Sequence, residues 1–240
     1  MKTNNLMGNK KITHSSPLIP YSYKLKAVFF DMDGVLFNSM PYHAKSWVKA
    51  MNAVGVSFSE YKAYLNEGRT GSATINEEFM LTLGREATEE EKTEIYALKT
   101  KFFDTYGSAP VIPFSLEMLQ KVKAQGLKIM LVTGSGQASL LRELEKAFPG
   151  FFSKENMITS NDVKHGKPHP EPYLMALEKA GVSADESVVI ENAPLGVQSA
   201  VAAGIFTIAI NTGILENNVL EENGANIVLE GGMEELYRKW

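Results

Sequence analysis

Apolar positions in this chain recur with two different periods, and the change of period organises it. The run Ala27-Val28-Phe29-Phe30 is short and continuous, the pattern of a strand buried on both faces, and predicts a strand over 26–30. Ala44, Trp47, Val48, Met51 and Val54 then repeat at helical spacing and predict a helix over about 41–54. After Gly68-Arg69-Thr70-Gly71-Ser72 a second helix is expected near 73–83. A third opens on the capping box Thr88-x-x-Glu91 and runs to about 106, with Ile95, Leu98, Phe102 and Phe103 facing inward. Residues 40–108 show no strand pattern and read as a helical unit.

Beyond Pro110 and Pro113 helix and strand alternate. A helix over 115–125 stops at Gly126, a strand covers 128–132, and a helix over 137–147 is ended by Pro149-Gly150. A short strand at 157–159 and a loop at 160–169 precede a helix over 170–180 that stops at Gly181. A strand at 187–190, a helix over 194–203 opening on Pro194, and strands at 206–210 and 226–229 complete the set. Repeated strand–helix units with apolar strands imply an α/β fold, a parallel sheet covered by helices, interrupted after its first strand by the helical unit. No internal repeat or low-complexity segment is found.

Composition narrows the function classes. The chain has 240 residues, 44% hydrophobic and 22% charged, which suits one or two globular domains. A net charge of -4 argues against a nucleic-acid partner. The absence of cysteine excludes disulfides and thiolate-bound zinc. No run approaches the ~18 apolar residues of a membrane span. Residues 1–23 carry Lys2, Lys10 and Lys11 without an apolar stretch, and read as a loosely packed leader rather than a secretory signal. The expectation is a soluble, cytoplasmic, monomeric protein.

The candidate chemistry lies at strand ends. Asp31-Met32-Asp33-Gly34 follows the first strand directly. Asp and Gly are ordinary turn residues, but two carboxylates at the end of a buried strand cost several kcal/mol unless a cation compensates. Ligands of open α/β sheets bind beyond the carboxyl ends of the strands. There the second strand ends in Thr133, the loop at 160–169 carries Lys167, and a later strand ends in Glu191 and Asn192.

These segments, Asp31-Met32-Asp33-Gly34-Val35-Leu36, Val132-Thr133-Gly134-Ser135, Gly166-Lys167-Pro168 and Glu191-Asn192, resemble in order the motifs of the haloacid dehalogenase (HAD) superfamily of phosphotransferases. The resemblance spans about 24–240 and is greatest to the β-phosphoglucomutase-like subgroup, whose small helical cap follows the first motif. Ser39, His43 and Trp47 match that subgroup's pattern. It implies a Rossmann-like core at 24–38 and 109–240, a cap at 39–108, and an N-terminal extension at 1–23.

The resemblance further implies that Asp31 attacks phosphorus and forms an aspartyl-phosphate, while Asp33 carries the proton. Thr133, backbone N–H groups near Gly134 and Ser135, and Lys167 would hold the phosphoryl oxygens. Mg²⁺ would be held by Asp31, the Asp33 carbonyl and Asn192, with Glu191 a ligand or just beside them. The family mostly has Glu-Asp at the last motif, so Asn192 removes one negative charge. Weaker Mg²⁺ binding, or a larger share for Glu191, is expected.

Other residues have bland alternatives. His43 is either a substrate contact or a structural histidine, Trp47 and Met51 suit the cap's interior, and Arg69 either clamps a substrate oxygen or is solvated. His165 and His169 are spaced like a zinc pair, but Pro168 lies between them and they are taken as loop residues. Gly134-x-Gly136 lacks the third glycine of a dinucleotide loop. The mutase pattern has Arg where this chain has Gly71, and Lys where it has Glu67 and Gly136. The loss of these charges favours a phosphatase of small sugar phosphates, with a phosphomutase as the alternative and an inactive binding relative, motivated by Asn192, as a third reading.

Overall fold

The computed structural model describes residues 16–20, 22–136 and 140–240. Among these, six parallel strands form one sheet in the order β3-β2-β1-β4-β5-β6. The strands are β1 (Ala27–Phe30), β2 (Lys128–Val132), β3 (Met157–Ile158), β4 (Ser187–Glu191), β5 (Phe206–Ile210) and β6 (Ile227–Leu229). Each was expected to within one residue at either end. β1 is central, with Phe30 opposite Leu131 on one side and Ile190 on the other.

Successive side chains point to opposite faces, so the strands feed two cores. Val28, Phe30, Leu131, Ile190 and Ile208 join the residues of α5 (Ser115–Ala124), α6 (Leu140–Ala147) and α10 (Gly232–Lys239) on one face. Phe29, Met130, Val132 and Val189 join α7 (Glu171–Ala180) and α8 (Pro194–Ala202) on the other. This is the parallel α/β sheet the pattern predicts, with the Rossmann-like architecture the resemblance implies.

Between β1 and α5 lie α1 (Met40–Ala53), α2 (Glu60–Leu65), α3 (Gly71–Leu83) and α4 (Glu89–Asp104). Their own core is built from Ala44, Met51, Ile75, Phe79 and Ile95, and Leu215 of the sheet side seats against it. The Thr88–Glu91 capping box is present, with Glu91 N 3.2 Å from Thr88 Oγ1 and Thr88 N 2.8 Å from Glu91 Oε2. The entering and leaving segments of this insertion pair, Asn38 N donating to Pro110 O at 2.8 Å and Ile112 N to Leu36 O at 2.9 Å.

Some elements were not foreseen. α2 and α9 (Asn217–Glu222) have six residues each, too short to show a period, and α10 buries Met233 and Leu236 over only eight. The expected loose leader is corrected in its described part. Ile19 is buried in the sheet core, and Tyr23 packs edge-on against Phe206 at 5.5 Å between centroids. Two apolar residues between Pro17 and Pro20 carry no period, so packing there is invisible in sequence. Residues 1–15 lie outside the described residues, as do 137–139 at the start of the helix expected over 137–147.

Candidate active site

Because β1 pairs in register with β2 and β4, the residues just past their ends emerge side by side. Asp31 N extends the ladder by donating to Ile190 O at 3.0 Å, which fixes Asp31 at the sheet edge beside Thr133 and Asn192. The chain then turns at Gly34, whose φ of 82° is left-handed and whose missing Cβ leaves room for the Asn192 amide.

Lys167 enters from the loop before α7 and is 2% exposed. Its ammonium donates to Asp31 Oδ1 at 2.6 Å, Glu191 Oε1 at 2.6 Å and Val132 O at 3.1 Å, which uses all three protons. Burial alone would discharge it, but Asp31 and Glu191 outweigh burial and hold its pKa well above the ordinary lysine range.

Glu191 is saturated. Oε1 accepts from Lys167 and from Tyr173 Oη at 2.9 Å, and Oε2 accepts from the backbone N–H of Asn192 at 2.9 Å and Ala193 at 3.2 Å. Four donors occupy its four lone-pair positions. Its geometry is that of a side chain holding Lys167, not of one free to bind a cation.

Asp31 is 5% exposed. Burial pushes its pKa up to about 8; Lys167 opposes this, while Glu191 and Asp33 add to it. Asp33 behaves oppositely. Burial raises it, but His43, Ser39 and Lys99 together hold it below the usual carboxylate range. Ser39 Oγ donates to Asp33 Oδ1 at 2.5 Å, and His43 Nε2 lies 3.3 Å from the same oxygen.

The state of His43 follows from its second neighbour. Lys99 Nζ lies 2.8 Å from His43 Nδ1, and an ammonium can only donate. Nδ1 therefore accepts, the proton sits on Nε2, and His43 presents that N–H to Asp33. Burial, then Lys99, lowers the His43 pKa, consistent with a neutral ring. Phe103 stacks on it at 4.3 Å.

Sequence reasoning missed Lys99, although a signal existed. It stands four residues after Ile95, on the inward face of α4, where a lysine has no packing reason to be, and it is 3% exposed. Trp47 and Phe103 rings lie 5.6 and 4.9 Å from its ammonium. Burial lowers its pKa from 10.5 to about 8. A lysine depressed in the folded state binds fewer protons there than when unfolded, so it contributes stability that is complete above pH ~10.5 and lost as pH falls through ~8. Wild type minus Lys99→Met, compared by urea unfolding, should gain on the order of 3 kcal/mol between pH 7 and 10.5. A pH-independent difference refutes the buried ammonium.

The remaining expected site residues divide. Thr133 is buried and its Oγ1 accepts from Ser135 N at 3.0 Å, leaving the hydroxyl proton free to donate. Gly134, Ser135 and Trp47 line one cavity with Asp31, Asp33 and His43. Arg69 lines it too but is ion-paired with Glu77 of α3. The loop after α2 comes down over the site. Gly68, with φ 86°, lies so close that a Cβ would stand 2.9 Å from Lys167 Cδ.

The donor set fits a divalent cation bound by oxygen. Asn192 Oδ1 is buried without a hydrogen-bond partner. Asp31, Asp33, Glu67 and Glu191 crowd together with only the ammonium groups of Lys99 and Lys167 nearby, more carboxyl groups than these two cations match. Burial and the nearby Asp31 push the Glu67 pKa well up for the same reason.

A family model described as haloacid dehalogenase-like hydrolase matches residues 25–204. The chain belongs to this family. As a haloacid dehalogenase-like hydrolase it is an enzyme. It is 29% identical to hexitol phosphatase A of Escherichia coli over 78% of this chain and 84% of that protein. It is 30% identical to the phosphorylated carbohydrates phosphatase of Thermotoga maritima over 75% and 82%. Among solved structures, the "putative beta-phosphoglucomutase" from Bacteroides vulgatus is 53% identical with a TM-score of 0.87, covering 91% of this chain and 88% of that one. No helix of the described residues is long and apolar enough to cross a membrane.

Proposed function

We propose that this haloacid dehalogenase-like hydrolase is a Mg²⁺-dependent phosphatase of small phosphorylated sugars that works through an aspartyl-phosphate. In this reading 24–38 and 109–240 are the catalytic domain and 39–108 is the cap. The free oxygen of the ionised Asp31 carboxylate, the form that Lys167 and a bound cation would favour, attacks phosphorus and the bond to the sugar oxygen breaks. Asp33 gives that oxygen its proton. Asp33 then takes a proton from water, whose oxygen attacks the same phosphorus and releases phosphate and Asp31. Asp33 rests ionised, held by Ser39 and His43. An arriving phosphate dianion raises its pKa and loads the proton the first step needs. Lys167 and the Thr133 hydroxyl donate to the phosphoryl oxygens. Mg²⁺, held by Asp31, the Asp33 carbonyl and Asn192, would offset the negative charge that converges there.

The cavity at Asp31 is about 80 Å³, the smaller of two that meet at the site. A second cavity of about 260 Å³ adjoins it at Asp33, Ser39 and His43, lined also by Phe37, Phe103 and Arg142, and is the place for the sugar.

The observation that favours water over a sugar as the acceptor is the charge of the loop after α2. A mutase must hold a second phosphate, and here that phosphate would meet the Glu67 carboxylate and an Arg69 already paired with Glu77. The similarity to the Bacteroides vulgatus protein keeps the mutase as a second reading. A panel of sugar phosphates with Mg²⁺, assayed for both released phosphate and isomerised sugar, decides. Phosphate without isomer is expected; isomerisation that requires a sugar bisphosphate overturns the phosphatase.

A further inference from the structure

Glu67 has no part in that chemistry, yet it is 8% exposed and reaches the metal-site motif from the other side of the cleft. Asn192 Nδ2 lies 3.1 Å from both its oxygens, although the two residues are 125 positions apart. On its other side the same nitrogen lies against Gly34, where a Cβ would stand 2.0 Å away. The amide of Asn192 is therefore held between a glycine and a carboxylate.

Both Glu67 oxygens face Nδ2 at 3.1 Å, so the carboxyl group accepts from the NH₂ end of the amide and turns Oδ1 away. Oδ1 is the atom left buried and unpartnered. An aspartate at this position would present oxygen whichever way it turned. An asparagine presents oxygen in only one of two orientations, and something must choose. Glu67 can choose only when the loop after α2 is seated, with Gly68 over Lys167 and Gly134.

We propose that Glu67 is a positioning residue for Asn192: it fixes the amide so that Oδ1 is the free metal donor, and thereby links divalent-cation binding to seating of the helical segment. The proposal rests on the reading of this site as a Mg²⁺ site but not on which molecule receives the phosphate. Linkage makes the effect reciprocal, so Mg²⁺ also holds the segment seated.

The test is a double-mutant cycle read by Mg²⁺ titration calorimetry without substrate. Glu67→Ala should weaken Mg²⁺ binding about tenfold, the scale of losing a partner that orients a ligand. In the Asn192→Asp background the same change should weaken it less than about twofold, because no orientation remains to be chosen. Glu67→Gln keeps an accepting oxygen and the shape, so it should fold and lie between wild type and Glu67→Ala. Equal losses in both backgrounds would reduce Glu67 to a nearby charge and overturn the proposal, as would no loss with Asn192 present. A wild-type protein that binds no Mg²⁺ at all overturns the metal reading itself, which separates the two failures.

Discussion

Asp31→Asn should lower turnover of every phosphorylated substrate by at least about 10⁴-fold while leaving the fold intact. The amide keeps the volume of the side chain but lacks the nucleophilic oxygen and cannot form an acyl phosphate. Lys167 retains Glu191 and Val132 O as acceptors, so the site does not collapse. Stability should move the other way from activity. The Asp31 pKa stands near 8 when folded against 3.8 as the ordinary value, because burial and then the neighbouring carboxylates outweigh Lys167. At Asp31 the folded metal-free protein therefore binds more protons than the unfolded chain between these limits, a contribution that loses stability as pH rises from about 4 to 8. The amide that replaces the carboxylate does not titrate. The melting temperature of metal-free Asp31→Asn minus wild type should rise across that window. Retained turnover removes Asp31 as nucleophile; a variant that is inactive because it is unfolded shows itself by melting low at every pH.

Lys167→Met should be the most destabilising single change at this site. It leaves Asp31 and Glu191 buried at the same place without the cation that satisfies both, and truncating one partner of a buried ion pair costs about 3–5 kcal/mol. The stranded carboxylates can escape by taking protons. The loss should therefore be largest at pH 8 and shrink towards pH 5 in urea unfolding. Saturating Mg²⁺ should recover part of it by supplying positive charge to the same oxygens. Turnover should fall about 10²–10³-fold even in the folded fraction, the scale of removing one donor to a developing oxyanion. A loss of stability that is flat with pH would show that Lys167 matters for its packing on Tyr173 and not for its charge.

Much of this was legible in one dimension because it is local. Buried parallel strands are continuous apolar runs, so all six strands show in the sequence, and strand ends point to the site because carboxylates at buried ends are costly unless a cation compensates. Asp31, Asp33, Thr133 and Lys167 meet where that rule places them. Glu191 illustrates the limit. Its motif position leaves open ligand or neighbour, and only the tertiary arrangement, with four donors within 3.2 Å, shows that its oxygens are occupied. Lys99 marks an inward helix position, but nothing in α4 says that the residue it meets is His43 of α1.

The sequence by itself determined the sheet, the insertion after its first strand and the carboxylate pair at the sheet edge, since each depends on periodicity or on residues a few positions apart. Only the tertiary structure decided how the charges are shared. Electrostatics in a buried site depends on distance through space, and Glu67 and Asn192, Lys99 and His43, and Lys167 and Asp31 are brought within about 3 Å of one another by packing across elements that sequence spacing keeps far apart.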